Sequence, residues 1–204
     1  MLVHGLWMSG FELRVLKHRL ETQGFRVLAY SYPTLSGTMS DHVRGLLDLA
    51  KAQSASELHF VGHSLGGLVI LRALQLTDDL PAGRAVLLGT PLQGSKAAQG
   101  IARMLPFGKA ILGAAVNAEC INCEPREWAG HRDVGVIAGS MGLGLGRLFA
   151  DFNADHDGTV SIEETYLPGA KDHIVMSTSH TGLVFSAEVA EQAAWFLREG
   201  KFRR

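Results

Sequence analysis

A serine flanked by glycines constrains the fold of this chain more than any other feature. Residues 62–67 read Gly-His-Ser-Leu-Gly-Gly, and they separate a strand-like run, LHFV, from a helix-like run, LVILRAL. A chain that turns from a strand into a helix over so few residues needs positions without side chains, because the two elements then cross closely. The pattern therefore predicts a strained strand-to-helix turn with Ser64 at its tip.

Such a turn favours a chemical role for Ser64. It would raise the hydroxyl to the carboxyl edge of a sheet and direct the next backbone N–H, that of Leu65, toward a reacting carbonyl group. A turn that cradles phosphate would instead read G-x-x-x-x-G-K-[ST], and a dinucleotide site would read G-x-G-x-x-G. Residues 62–67 match neither pattern, so they indicate a nucleophile rather than an ordinary glycine-rich turn.

Strand-like and helix-like segments alternate along the chain. Strands are predicted at residues 1–4, 25–32, 57–62, 84–89, 133–139 and 171–177, and helices at 10–22, from Ser40, after Ser64 and from Ser186. This alternation indicates an α/β fold with a compact, mostly parallel sheet of about six strands flanked by helices. Because a chain of 204 residues suits one domain, residues 1–204 are predicted to form a single domain.

Charge and composition limit the classes of partner that we expect for this chain. The formal net charge of −1 gives no reason to expect nucleic acid. No apolar run approaches the roughly 18 residues that span a bilayer, and no signal peptide is recognisable, so we expect no integral membrane segment and a cytoplasmic location. The sequence leaves the oligomeric state open.

The two cysteines, Cys120 and Cys123, form a C-x-x-C pair. A zinc site would need further cysteine or histidine ligands at a suitable spacing, and no second C-x-x-C or nearby histidine pair supplies them. The pair is therefore interpreted as incidental, and we expect neither a metal nor an organic cofactor.

Four segments resemble the α/β-hydrolases and follow the same order: LVHGLW, VGHSLGG, HDGTVS and SHTGLVF. The likeness is greatest to small bacterial serine esterases and lipases, and it covers nearly the whole chain. It implies the α/β-hydrolase fold and a catalytic triad whose members follow in the order serine, acid, histidine.

A base must take the proton of the serine hydroxyl, and His156, His173 and His180 are the late candidates. Active sites of open parallel sheets lie beyond the carboxyl ends of the strands. His173 begins the last predicted strand, at the opposite edge, whereas His180 follows that strand. The sequence therefore predicts His180 as the base.

The acid is expected in the loop after residues 133–139. That loop and its continuation contain several carboxylates: Asp151, Asp155, Asp157, Glu163 and Glu164. The run Asp-Gly-Thr-Val at residues 157–160 resembles the acid loop of related lipases, which selects Asp157, with Asp155 as its nearest rival. The alternative is that both aspartates merely stabilise an exposed turn.

Residues 153–164 also match most of an EF-hand calcium loop. Asn153 replaces the usual first aspartate, and Pro168 leaves no room for the helix that should follow. We therefore do not expect calcium binding.

Ester chemistry also needs N–H donors for the oxyanion that develops on the carbonyl oxygen. Leu65 supplies one. In related lipases, the residue after an HG pair supplies the other, and in this chain that residue is Leu6, with Trp7 as the alternate. His4 and His63 are interpreted as structural rather than as proton carriers.

Residues 92–132 form a long irregular stretch between two predicted strands. In hydrolases of this fold such insertions commonly cover the active site, which makes the stretch a candidate lid or cap. Met104 and Phe107 of this stretch are predicted to bind substrate, and so is Trp7, which is apolar and close to the oxyanion site. The alternative is a helix packed on the sheet.

The sequence thus predicts a serine hydrolase that cleaves carboxylic esters, either small molecules or lipids, through an acyl-enzyme. An acyltransferase, a thioesterase or an amidase would use the same residues. A binding module without activity is a further alternative, since a fold does not determine a function.

Overall fold

The computed structural model describes residues 1–121, 123–143, 148–149 and 155–204. Six strands form one sheet in the order β2-β1-β3-β4-β5-β6, and every neighbouring pair is parallel. The strands are β1 (Leu2–Val3), β2 (Ala29–Tyr30), β3 (Phe60–His63), β4 (Ala85–Leu88), β5 (Val134–Gly139) and β6 (Asp172–Met176). The predicted parallel α/β sheet is confirmed.

Helices cover both faces of the sheet. They are α1 (Arg14–Thr22), α2 (Met39–Lys51), α3 (Leu65–Leu76), α4 (Lys96–Met104), α5 (Gly108–Val116), α6 (Gly182–Phe185) and α7 (Ala187–Glu199). Helices α2 to α5 pack into one apolar core, and α1, α6 and α7 into another. Successive strand residues alternate between them, so that Leu87 belongs to the first core and Leu88 to the second. Within the described part of the chain, no helix has the length and apolar content needed to cross a membrane.

Several element boundaries differ from the predicted ones. Helix α2 is capped by Thr38 rather than by Ser40, because Thr38 and Asp41 form a reciprocal capping box. The predicted strand at residues 25–32 shrinks to Ala29–Tyr30. Helix α7 begins at Ala187, one residue after the predicted start, and Ser186 caps it by accepting a hydrogen bond from the N–H of Val189.

Residues 92–132 are irregular only in part, chiefly at 123–132, which corrects the sequence interpretation. They contain α4, α5 and a π-helical turn, Asn117–Ile121. Two backbone distortions shape the segment. Phe107 has a φ of 60° between the two helices, and Gly113 has a φ of 76° inside α5. A side chain at Gly113 would lie 3.0 Å from the carbonyl oxygen of Thr34, so the glycine lets α5 approach the loop after β2.

Candidate active site

Ser64 occupies the strained turn that the sequence predicts. It lies between β3 and α3 with a φ of 53° and a ψ of −121°, and a positive φ is uncommon for a residue other than glycine. Its N–H donates to the carbonyl oxygen of Leu88 at 2.9 Å, and its own carbonyl oxygen accepts from the N–H of Gly67 at 3.0 Å. The surrounding structure thus holds an unfavourable backbone conformation, as functional sites often do.

Glycines make this turn possible because the neighbouring backbones leave no space for side chains. A Cβ at Gly62 would lie 2.7 Å from the Cα of Gly67, where β3 and α3 cross. A Cβ at Gly66 would overlap the carbonyl oxygen of Val3, at the end of β1. The two glycines that flank the serine motif are therefore required by close packing at two separate contacts.

Asp157 and His180 form a bonded pair at the same edge of the sheet. The His180 Nδ1 lies 2.7 Å from the Asp157 Oδ2. The Asp157 Oδ1 accepts from the N–H groups of Thr159 at 2.9 Å and Val160 at 2.8 Å. The backbone N–H of His180 also donates to the carbonyl oxygen of Asp157 at 2.8 Å. The imidazole is thereby held with its Nδ1 toward a carboxylate.

The Asp157 carboxyl is fully buried yet has a lowered pKa. Burial alone is the largest influence and would raise this pKa. The attraction of His180, its hydrogen bond and the two backbone N–H donors together outweigh burial. Asp157 is therefore favoured in its charged form, as a carboxylate that orients an imidazole must be.

Ser64 and His180 line one cavity of about 240 Å³. Among the described residues, no hydrogen bond joins the Ser64 hydroxyl to the His180 ring. Such bonds are often long in the absence of substrate and tighten as the reaction proceeds. The structure therefore brings the three predicted residues to one site, with the Asp157–His180 contact already made.

The competing histidines have other partners. The His173 Nε2 lies in β6, 3.0 Å from the Oγ1 of Thr165. The His156 Nδ1 accepts from the N–H of Gly158 at 3.0 Å. Neither side chain lines the cavity that contains Ser64.

The competing carboxylates are also placed elsewhere. Asp155 and Glu163 are exposed, and Asp151 lies outside the described residues. Glu164 is buried and accepts from the N–H of Lys96 at 2.6 Å and that of Ser161 at 2.7 Å, so it connects the acid loop to the start of α4.

The calcium-like pattern at residues 153–164 shares two carboxylates with these contacts. Asp157 and Glu164, two of its carboxylates, already accept hydrogen bonds from the protein, while Asn153 lies outside the described residues. No cluster within the described ranges has the composition of a metal site. Cys120 is a buried free thiol whose pKa is raised to about 12 by burial, and Cys123 is also free.

The backbone N–H groups of Leu6 and Leu65 have no acceptor among the described residues. The N–H of Trp7 is different, because it donates to the Oγ1 of Thr34 at 3.2 Å. This favours Leu6 over Trp7 as the second donor. His4 has a structural environment: its Nδ1 donates to the carbonyl oxygen of Gly5 at 3.0 Å, and its Nε2 accepts from the N–H of Tyr32 at 3.2 Å.

The inner faces of α4 and α5 form the apolar wall of the cavity. Ile101 of α4 and Leu112 and Val116 of α5 face Leu6, Trp7 and Leu65 across it. Met104 and Phe107 do not line the cavity, and their side chains are 56% and 84% exposed. Apolar character alone indicates Met104 and Phe107 in the sequence, and it does not distinguish the inner face of a helix from its ends.

A larger cleft of about 680 Å³ lies at the opposite edge, beside Met1, His59 and Arg84. These residues stand at the amino ends of the strands. Parallel sheets bind ligands beyond the carboxyl ends, where Ser64 and His180 lie. The smaller cavity is therefore the candidate site.

Comparison with known proteins identifies the class of protein that this fold and site define. Residues 1–194 match the model of the alpha/beta hydrolase family, and the chain belongs to that family. A carbendazim hydrolyzing esterase from Nocardioides sp. (strain SG-4G) is 36% identical over 78 residues, which are 34% of this chain and 32% of that esterase. The match thus spans about a third of that relative's length.

Solved structures show the same fold at low sequence identity. The mature lipase BlEst2 from Bacillus licheniformis has a TM-score of 0.72 and 18% identity, covering 90% of this chain and 84% of its own. A pyrethroid hydrolase from Sphingobium faniae JZ-2 has a TM-score of 0.65 and 16% identity. The match covers 97% of this chain and 96% of that hydrolase. These three similar proteins are thus an esterase, a lipase and a pyrethroid hydrolase.

Proposed function

We propose that the protein is a serine hydrolase of carboxylic esters. Ser64 attacks the ester carbonyl carbon, and His180 takes the hydroxyl proton and passes it to the departing alcohol. Water then attacks the acyl-enzyme with the same base, which releases the acid and restores Ser64. Asp157 holds the imidazole and stabilises its charged form.

One observation carries the proposal: the imidazole of His180, bonded to the buried Asp157 carboxylate, shares a cavity with a serine on a strained turn. The 2.7 Å contact of Asp157 with His180 leaves the Nε2 of His180 as the ring nitrogen available to Ser64. Ser64 and His180 line the same cavity. This arrangement suits acyl transfer, and the esterases and lipases among the similar proteins support the same chemistry.

The oxyanion is proposed to bind the N–H groups of Leu6 and Leu65. Both donors are without an acceptor in the described structure, and both residues border the cavity. Donors positioned in this way before the reaction stabilise the developing charge by about 3 kcal/mol each.

The cavity favours a compact apolar acyl group. Its volume of about 240 Å³ and its wall of Ile101, Leu112 and Val116 suit a short chain or a small ring. We propose that α4 and α5, within residues 92–132, cover the bound acyl group and determine which esters enter. Substrates are then small-molecule esters or lipid esters with short acyl groups.

A fluorophosphonate probe and p-nitrophenyl esters test this function. The wild type should be labelled and should hydrolyse short esters, whereas Ser64→Ala and His180→Ala should lose labelling and at least about 1,000-fold in kcat. His173→Ala is the matched control and should keep most activity, because its ring bonds to Thr165 outside the cavity.

Some results would contradict the proposal. A folded wild type that is not labelled, or a Ser64→Ala variant that still is, would exclude Ser64 as the nucleophile. Parallel assays with acyl-CoA and amide substrates decide whether esters are the preferred class.

A further inference from the structure

We propose that His63 is a positioning residue for His180: its Nε2–H holds the backbone carbonyl oxygen of His180, and its ring supports the imidazole. The proposal rests on the proposed function, because it assigns the reason why the base stays in place beside Ser64. Nothing in the triad chemistry itself requires a histidine before the serine.

The backbone of His180 is held on both sides of its Cα. Its N–H donates to the carbonyl oxygen of Asp157 at 2.8 Å. Its carbonyl oxygen accepts from the Nε2 of His63 at 2.9 Å. The side chain is held at Nδ1 by the Asp157 carboxylate at 2.7 Å. Of the three bonds, only that of His63 connects the base to β3, the strand that leads into Ser64.

The two imidazole rings are also in contact. Their centroids are 4.6 Å apart with an angle of 48° between the ring planes. His63 is almost fully buried, so protein atoms rather than water surround its ring and hold it in this contact. The ring of His63 thereby restricts the space into which the His180 ring can rotate.

His63 is restricted to one protonation state. The pKa of His63 is lowered to about 3, chiefly by burial and also by the positive charge that His180 can carry. In the neutral ring one nitrogen carries the hydrogen, and the 2.9 Å contact with a carbonyl oxygen requires it on Nε2. The Nδ1 is buried without a partner among the described residues, which agrees with this tautomer.

The position of His63 in the chain makes the contact useful. His63 ends β3 and directly precedes Ser64, so a single peptide unit separates the nucleophile from the group that holds the base. His180, in contrast, is 116 residues away from Ser64 in the chain and follows a different strand. Without this bond, the hydrogen bonds of His180 itself to the described residues would all be made with Asp157.

Three substitutions of His63 separate the hydrogen bond from packing. His63→Phe keeps a ring and removes the donor. His63→Gln places an amide N–H at nearly the reach of Nε2, and His63→Asn carries the same group on a side chain too short to reach His180. His173→Phe is the matched control, since that histidine has no contact with the cavity.

We expect a loss in kcat rather than in KM. His63→Phe and His63→Asn should lower kcat for a p-nitrophenyl ester by about tenfold to a hundredfold, because a misplaced base costs rate without weakening binding. KM should stay within about twofold, and His63→Gln should recover kcat to within about threefold of the wild type. His173→Phe should leave both constants unchanged.

Two results would overturn the proposal: a His63→Phe enzyme with wild-type kcat, or a His63→Gln enzyme as slow as His63→Asn. If His63→Phe shows no cooperative melting transition, the Gln and Asn pair decides alone. Failure of the proposed function is recognised separately, because then the fluorophosphonate probe does not label the wild type.

Discussion

The carboxyl edge of the sheet and the α4–α5 segment enclose the same cavity, but they are built differently. At the sheet edge, backbone is packed so closely that a Cβ at Gly66 would overlap the carbonyl oxygens of Val3 and His4. The α4–α5 segment contacts the cavity through side chains and has large exposed ones, such as Phe107.

Because of this difference, we expect the sheet edge to determine the chemistry and the α4–α5 segment to determine substrate selectivity. Where backbone packs against backbone, almost any added atom must move a strand or a helix, so the proposed nucleophile, acid and base have one arrangement. Where side chains form the wall, a substitution changes the size of the cavity and leaves the backbone in place. The sheet edge should therefore respond to mutation by losing activity or stability, and the α4–α5 segment by changing substrate preference.

The largest effect is expected at the acid. Asp157→Asn should lower kcat by about 10,000-fold, because an amide no longer stabilises a charged imidazole. Asp155→Asn is the matched control, since Asp155 is exposed two residues away, and it should stay within about twofold of the wild type. Ester hydrolysis measures both. If the Asp155 variant has the greater loss, Asp157 is not the acid.

The same substitution has a pH-dependent effect on stability. Because the folded state lowers the pKa of Asp157, the charged carboxylate stabilises the fold above its ordinary pKa of about 4. This contribution is lost as the pH falls through the lowered pKa. The difference in Tm between the wild type and Asp157→Asn should therefore decrease in acid. A difference that grows as the pH falls would mean that the pKa is raised.

The next effect concerns the crowded backbone. Gly66→Ala would place a Cβ against the carbonyl oxygens of Val3 and His4, and it should lower the free energy of unfolding by about 3 kcal/mol or more. Gly24→Ala is the control. Gly24 has a φ of 90° but no atom near the added Cβ, so only strain remains, about 1 kcal/mol. Equal losses in denaturant unfolding would show that crowding at β1 does not matter.

How far the sequence predicts the structure also differs between the sheet edge and the α4–α5 segment. The turn at Ser64 was readable because its glycines are adjacent in the chain and directly follow a strand. The position of His180 at the carboxyl edge follows from the rule that parallel sheets place their sites beyond the carboxyl ends, and its role as the base stays a prediction. Asp157 needed a family resemblance, since Asp155 satisfies the same rule.

Contacts between distant segments were not readable. The bond between His63 and His180 joins residues 117 positions apart, and no local pattern encodes it. Met104 and Phe107 were chosen for their apolar character, but which face of α4 meets the cavity depends on where that helix begins. The cap at Thr38, in contrast, had a readable signal in Asp41, three residues later.

At the α4–α5 segment, Ile101→Ala should change preference more than rate. Removing part of the cavity wall should increase the ratio of kcat/KM for a longer acyl chain over a shorter one by about tenfold. This ratio does not depend on the folded fraction, so some loss of stability does not disturb it. Met104→Ala, on the same helix but outside the cavity, should leave the ratio unchanged. The opposite result for the two variants would return Met104 to the substrate site.

The smallest effect is expected where the two regions are joined. The indole N–H of Trp7, in the loop that also carries Leu6, donates to the carbonyl oxygen of Ile111 in α5 at 3.1 Å. Trp7→Phe keeps an aromatic ring and removes this bond, which contributes about 1 kcal/mol. We expect kcat/KM for short esters to fall by about two- to fivefold, because α5 then covers the cavity less often.

Trp195→Phe provides the control for the Trp7 experiment. Trp195 lies in α7, where its ring stacks with Arg203, and its replacement should leave kcat/KM unchanged. Because α5 is attached to the loop before α1 by this indole, a loosened contact should also raise the kcat/KM of bulky esters relative to short ones. If Trp7→Phe instead loses activity equally toward all esters, the effect arises at the N–H of Leu6, at the sheet edge, rather than in α5.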